Sequence, residues 1–257
     1  MRAYAILDGG GVKGAALAGC LAAAEEKGIE FAGYGGTSAG SIVALLACLG
    51  LSGAQLRSVA VDEMDFLDFL DDRGILLERL KNIPVQLGSR RRVSWPLILW
   101  RNRDLLHKIN IDFGLYKADK MRVFLLKKIK EKLPNLELEN ENDITFADLK
   151  RAKRPPLKIV VSDLGLRAPV IYSASGGNER NGSVFDAVRA SMSYPFVFRP
   201  VRLNDRYLVD GGVAINLPLY VFNRERLEDK LPVVAFDLVT SQVGFFVRIP
   251  LEIRIVG

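Results

Sequence analysis

Three short stretches carry residue types that could do chemistry. Gly36-Thr37-Ser38-Ala39-Gly40 fits G-x-S-x-G, the pattern of a serine on a sharp strand-to-helix turn that projects its hydroxyl outward. The flanking glycines permit close backbone approach, and the helix start offers unpaired N–H groups and a positive dipole end. With three fixed positions, the pattern also fits a helix N-cap serine between packing glycines. Asp210 ends the run "RYLVD" and precedes Gly211-Gly212. A carboxylate at a strand end points into the crevice where α/β sheets hold their active sites, whereas Asp-Gly is also a common turn signal. To take a proton from a serine, an aspartate with an ordinary pKa of about 3.9 must be partly desolvated or coupled to proton transfer.

The third stretch, Asp8-Gly9-Gly10-Gly11-Val12-Lys13-Gly14, lies between an apolar run and an alanine-rich one. Consecutive glycines bare the backbone N–H groups, which makes an anion cradle at a helix start. Gly9, Gly11 and Gly14 meet a dinucleotide-binding spacing, but the acid wanted about 20 residues on is absent, because that position reads Tyr34-Gly35-Gly36. A sugar-kinase-like phosphate loop would continue as a threonine-rich hairpin, and here a helix-forming run follows. As an oxyanion hole, the N–H groups of Gly9, Gly10 and Gly11 would face the charge that builds when a serine attacks a carbonyl. Only this last reading also uses Ser38 and Asp210.

A nucleophilic serine needs a base. His107 is the single histidine of the chain. It lies in an irregular region with no acid-then-histidine order behind it, so a surface or helix histidine is the expectation. A Ser-His-Asp triad is thereby disfavoured, and a carboxylate or lysine must serve as base.

The elements that would position these groups follow a strand–helix rhythm. Residues 3–7 read as a buried strand and 11–28 as a helix closed by Gly28. Residues 29–36 read as a second strand and 41–51 as a second helix, an alternation that favours a parallel sheet covered on both faces. The rhythm stops over 62–115, where an acidic phenylalanine-rich patch precedes a basic tryptophan-bearing one; this is expected to be an inserted cap. An amphipathic helix over 120–134 follows, then a strand (156–165), a helix (183–195), a strand running into a turn (206–212) and another strand (231–239). The last stretch, 241–257, is read as a C-terminal extension that ends in strand-like alternation and is cut short.

With 257 residues, 49% hydrophobic and 26% charged, the chain suits one α/β domain of ordinary globular type, here 1–240. Cys20 and Cys48 sit in apolar helical contexts without metal-ligand spacing and read as reduced core residues, as in a cytoplasmic protein. The apolar run before Asp8 is too short for a signal peptide, and Ile42–Leu51 is about half a membrane span. A protein that is soluble or peripheral at a membrane is expected. The net charge of +6 suits an anionic surface or substrate without requiring either. No motif speaks to oligomeric state.

With these three elements in order, the sequence resembles the patatin-like phospholipases. That family carries a glycine-rich loop after the first strand, G-x-S-x-G before a helix, and D-G-[AG] after a late strand. Here these are Gly9 to Gly14, Gly36 to Gly40 and Asp210-Gly211-Gly212. The runs "AVRASMSYPFVFRPV" (187–201) and Asn216-Leu217-Pro218 agree as well, and the resemblance spans about residues 4–240. Lys13 stands where arginine is frequent. The resemblance implies a three-layer α/β/α fold with a mainly parallel central sheet and a partly helical insertion. It also implies a Ser38-Asp210 dyad acting as a calcium-independent lipid acyl hydrolase, without metal or cofactor, on a lipid ester substrate and with no nucleic-acid partner. Backbone N–H groups of the glycine loop would hold the oxyanion.

Membrane contact has its own candidate, "RRRVSWPLILWRNR" (90–103), whose basic flanks surround an apolar, tryptophan-bearing centre as in interfacial anchors. A cap element packed on the site, with the arginines merely solvated, is the slightly favoured reading. Two other functions stay open on the sequence: a catalytically idle lipid-binding or regulatory protein on the same fold, and a phosphotransferase.

Overall fold

The first strand, β1 (Arg2–Leu7), is buried from Ala3 onward, as a continuous apolar run at the centre of a parallel sheet must be. A short 3-10 turn over Gly11–Gly14 leads into α1 (Ala15–Glu26). Next come β2 (Glu30–Thr37), α2 (Ala39–Cys48) and α3 (Gly53–Ser58). The computed structural model describes residues 1–64, 69–70, 103, 107, 111–136, 143–175, 182–238 and 251–256. Most of the 62–115 insertion, nearly all of the 90–103 segment and residues 241–250 lie outside these. Beyond the insertion the chain forms β3 (Gly114–Tyr116), α4 (Asp119–Lys132), α5 (Phe146–Arg151), β4 (Leu157–Asp163) and β5 (Ala168–Ser173). It continues through α6 (Val184–Ser191), β6 (Phe196–Phe198), β7 (Val201–Leu203) and β8 (Arg206–Asp210). Last come α7 (Asn223–Asp229), β9 (Val233–Leu238) and β10 (Leu251–Val256).

The main sheet runs β10-β9-β1-β2-β4-β8-β7, with β5 also on β4. Its centre, β9-β1-β2-β4, is parallel throughout, and the flanking pairs are antiparallel. The expected α/β class with a parallel central sheet is what the chain builds. β3 and β6 form a separate two-stranded parallel sheet.

One feature of this topology places the chemistry. β5 covers one edge of β4 from Lys158 to Asp163. The other edge is shared: β2 pairs with its first half, up to Thr37 opposite Val160, and β8 pairs with its second half, starting from Asp210 opposite Val161. β2 runs parallel to β4 and β8 antiparallel, so the two strands meet head to head at one point on β4. The residue after Thr37 is Ser38.

The two faces are covered unequally. On one face α1, α2 and α6 pack with Ala3, Ala5 and Leu7 of β1 in the larger core. All ten residues of α2 are buried, so nothing in its pattern marks a solvent side. On the other face Tyr4 and Ile6 meet Val221 and Phe222. Glycines on β2 make room for that layer: a Cβ at Gly35 would lie 2.9 Å from both Ile6 and Val221.

The chain departs from the sequence expectations mainly at element ends. α6 stops at Ser191 rather than running to 195, because the Met192 and Ser193 N–H groups close the last turn before Pro195. α2 begins at Ala39, two residues early, and ends ahead of Gly50, whose φ of 93° suits glycine. Among the described residues, no helix is long and apolar enough to cross a membrane.

Candidate active site

Ser38 occupies the turn between β2 and α2 with φ 50° and ψ −126°. A left-handed φ costs a non-glycine residue on the order of 1–3 kcal/mol and persists only where the surroundings over-determine it. Here they do. A Cβ on Gly36 would lie 2.4 Å from the Gly40 carbonyl oxygen, and one on Gly40 would lie 2.5 Å from the carbonyl oxygens of Leu7 and Asp8. The turn is thus wedged against itself and against the end of β1. Ser38 caps no helix N–H with its side chain. Its Oγ–H donates instead to Asp210 Oδ2 at 2.7 Å, across 172 residues of sequence. That geometry sets aside the N-cap reading of the motif.

Asp210 is buried and has a donor on each oxygen. Besides Ser38, the Gly212 N–H donates to Oδ1 at 2.8 Å. Burial pushes its carboxyl above the ordinary range, and the hydrogen bonds from Ser38 and Gly212 hold it partly back. Gly211 lets the following turn fold under the sheet, since a Cβ there would meet the Val160 carbonyl oxygen at 2.3 Å.

The C-terminal end of α6 ties both partners down. Ser191, fully buried, accepts the Ser38 N–H at 2.9 Å and donates its own hydroxyl to the Val160 carbonyl at 2.6 Å. The Ser193 carbonyl accepts the Asp210 N–H at 3.0 Å. Two residues of one turn therefore set the backbone of both Ser38 and Asp210. The sequence expectation gave neither serine a role, although both lie in the run "RASMSYP".

The glycine loop lies beside the serine. A Cβ on Gly9 would be 3.2 Å from Ser38 Cβ. Asn216 clamps Gly9 from both sides: its Nδ2 donates to the Gly9 carbonyl at 2.9 Å, and its carbonyl takes the Gly9 N–H at 3.4 Å. Gly9 is thus the least available of the three expected oxyanion donors. The N–H groups of Gly10 and Gly11 have no acceptor among the described residues, and Gly11 holds φ 54°. Gly14 abuts Ala39, with 2.6 Å between its added Cβ and that of Ala39, which fits the start of α1 against the start of α2. Asp8, buried behind the loop, accepts the Leu238 N–H at 3.1 Å and so joins the loop to β9.

The structure thus brings Ser38, Asp210, Gly9, Gly36, Gly40, Gly211 and Gly212 to one end of the parallel sheet. His107 is exposed on the surface, and Ser38 Oγ has its hydrogen bond with Asp210 rather than with an imidazole. Cys20 and Cys48 are free and buried, and burial pushes their thiols up to about 11 and about 12. No cluster of three or more acidic, histidine or cysteine side chains suited to a metal lies among the described residues. A hydroxyl hydrogen-bonded to a desolvated carboxylate, beside bare backbone N–H groups, can attack a carbonyl and hold the resulting oxyanion.

A family model described as patatin-like phospholipase matches residues 5–223. The uncharacterized protein YqhO of Bacillus subtilis (strain 168) is 30% identical over 245 residues, covering 92% of this chain and 71% of that protein. The uncharacterized protein R571 of Acanthamoeba polyphaga mimivirus is 26% identical over 220 residues, 84% of this chain and 60% of that protein. Among solved structures, VipD from Legionella pneumophila matches with a TM-score of 0.52 and 19% identity over 84% of this chain. That likeness bears on the fold, and this chain spans 47% of VipD's length.

Proposed function

The chain belongs to the patatin-like phospholipase family, and from that membership and the Ser38–Asp210 contact we propose a calcium-independent lipid acyl hydrolase working through a serine–aspartate dyad. Residues 1–240 are taken as its single hydrolase domain, with 62–115 as the insertion. The observation that carries the reading is the 2.7 Å hydrogen bond from Ser38 Oγ to the buried Asp210. In the first step Ser38 Oγ bonds to the ester carbonyl carbon as its proton passes to Asp210 Oδ2. The negative charge on the carbonyl oxygen is met by the N–H groups of Gly10 and Gly11, with Gly9 shaping the loop. Collapse of the tetrahedral adduct breaks the ester C–O bond, and Asp210 returns the proton to the departing alcohol. Water then attacks the acyl-serine, giving a proton to Asp210, and collapse of this second adduct breaks the acyl C–Oγ bond as Asp210 returns the proton to Ser38 Oγ and the fatty acid leaves.

Burial supports Asp210 as the base, because raising its proton affinity narrows the gap to a serine hydroxyl. A fluorophosphonate should label the wild type at Ser38 and leave Ser38→Ala unlabelled, with fatty-acid release from phospholipid lost in parallel. Calcium chelation should leave the release unchanged. A folded Ser38→Ala protein that still releases fatty acid would refute the dyad, and a wild type inert to the fluorophosphonate would favour the catalytically idle binder.

A further inference from the structure

Among the described residues, several large exposed apolar side chains gather at one place. Phe113, Leu164, Leu166, Tyr194, Phe196 and Tyr207 are 49–65% exposed, and all but Tyr194, next to Pro195, line one open cavity of about 730 Å³. Monomeric soluble proteins rarely leave such contiguous patches without a use. The backbone is also strained to make it. Phe113 and Phe196 hold φ of 55° and 67°, a region that bulky residues avoid. They sit side by side because Gly114, next to Phe113, pairs with Phe196 in the small β3–β6 sheet. Left-handed conformations that hold apolar rings out in solvent mark a surface shaped for contact.

Its position relative to Ser38 follows from the sheet. β1, β2 and β4 are parallel, so the turn after β4, carrying Leu164 and Leu166, leaves the sheet at the same edge as the glycine loop and Ser38. From the rung where Val160 faces Thr37, four further residues reach Leu164, a rise of about 13 Å. Val209, which lines the cavity floor, directly precedes Asp210. Around the apolar groups stand Arg167, Arg202 and Arg206, of which Arg202 pairs with Asp205 at 2.7 Å and Arg206 lies 3.7 Å from the buried Asp163 carboxylate. Half-exposed aromatic rings rimmed by arginine are the composition of a membrane interface.

We propose that this face, led by the Leu164–Leu166 turn and the Phe113/Phe196 pair, docks on the surface of a phospholipid bilayer and presents Ser38 to lipid at the headgroup level. The inference rests on the lipid-hydrolase reading above. Docking supplies what the dyad lacks by itself, a way to meet an ester held in a membrane. The chain's +6 charge adds attraction to anionic lipid.

The test uses the full chain with Ser38→Ala, so that lipid is not consumed, and vesicles of three parts phosphatidylcholine to one part phosphatidylglycerol. Leu164→Ser/Leu166→Ser and Phe113→Asn/Phe196→Asn should each lower co-sedimentation at least tenfold. In the parent with Ser38 intact, the same changes should keep turnover of a soluble nitrophenyl butyrate within twofold. Asparagine tolerates a left-handed φ, so the second pair relieves strain and should fold. As a separate reading, Leu166→Trp fluorescence should be quenched by brominated lipid. Partitioning within twofold of the parent, or no quenching, overturns the proposal. So does a dimer that these changes dissociate without affecting vesicle binding, which would make a second copy the occupant. Vesicle binding without any ester turnover would keep the docking face and remove the dyad; ester turnover without vesicle binding would do the reverse.

Discussion

Asp8, just after β1, and Asp210, at the end of β8, are both buried aspartates at strand ends, yet they are held in opposite ways. Burial raises both carboxyls, Asp8 to about 6. Asp210 has a donor for each oxygen. Asp8 takes the Leu238 N–H on Oδ2, but its Oδ1 has no donor among the described residues, and the Asp237 carboxylate beside it adds repulsion. Desolvation alone makes a carboxylate costly, and the second donor makes it usable. One of the pair reads as a base positioned for a serine, the other as a joint between loop and sheet that carries an electrostatic penalty.

The sharpest way to break this contrast is to remove each charge while keeping the shape. Asp210→Asn should lower ester turnover by about 10²–10⁴-fold, the range for a lost general base, whereas Asp8→Asn should stay within about tenfold in the same steady-state assay. Comparable losses would put the two aspartates in one functional unit. A smaller effect is expected from Ser191→Ala, which removes the acceptor of the Ser38 N–H and a donor to the Val160 carbonyl at a fully buried side chain. At about 1–3 kcal/mol for each unsatisfied group, urea unfolding should show a clear loss, and turnover should fall about ten- to hundredfold as the elbow loosens.

Stability gives a further test of Asp8. Because the folded-state pKa of Asp8 is raised from 3.8 to about 6, its contribution is fully present below the unfolded value and is lost as pH rises through about 6. Asp8→Asn should therefore be more stable than wild type at pH 8, by up to about 3 kcal/mol from the size of that shift, with the difference closing as pH falls toward 4. Urea midpoints at the two pH values measure it, and a variant that is less stable at pH 8 would mean that Asp8 has a donor on each oxygen after all. The smallest effect belongs to His107→Ala, which should leave turnover within twofold, since that side chain is exposed.

Local pattern carried much of this site. Ser38, Asp210 and the Gly9–Gly11 loop announce themselves because tight turns demand particular residues at particular spacings. The long elements were legible for a similar reason: β1 is a continuous apolar run, and α4 has helical periodicity. The shared edge of β4 was not legible, because which strand pairs with which half of another is a property of long-range register. The roles of Ser191, Ser193 and Asn216 were not legible for the same reason. Their sequence neighbourhoods were visible, but their work is done on residues far away along the chain. β6 and β7, three residues each, are too short to show a period. The last strand, β10, pairs antiparallel with β9, as its alternating sequence allows.

The head-to-head meeting of β2 and β8 on β4 also has a consequence in time. During synthesis the elbow around Ser38 can form once α2 has packed, but its aspartate emerges 172 residues later. Until β8 is laid on the second half of β4, the Ser38 hydroxyl lacks its Asp210 acceptor, and until α6 closes, its amide lacks Ser191. On the proposed reading, a growing or half-folded chain thus carries a serine without its partner. On the proposed dyad, attack on ester bonds waits until β8 and α6 have both closed on β4.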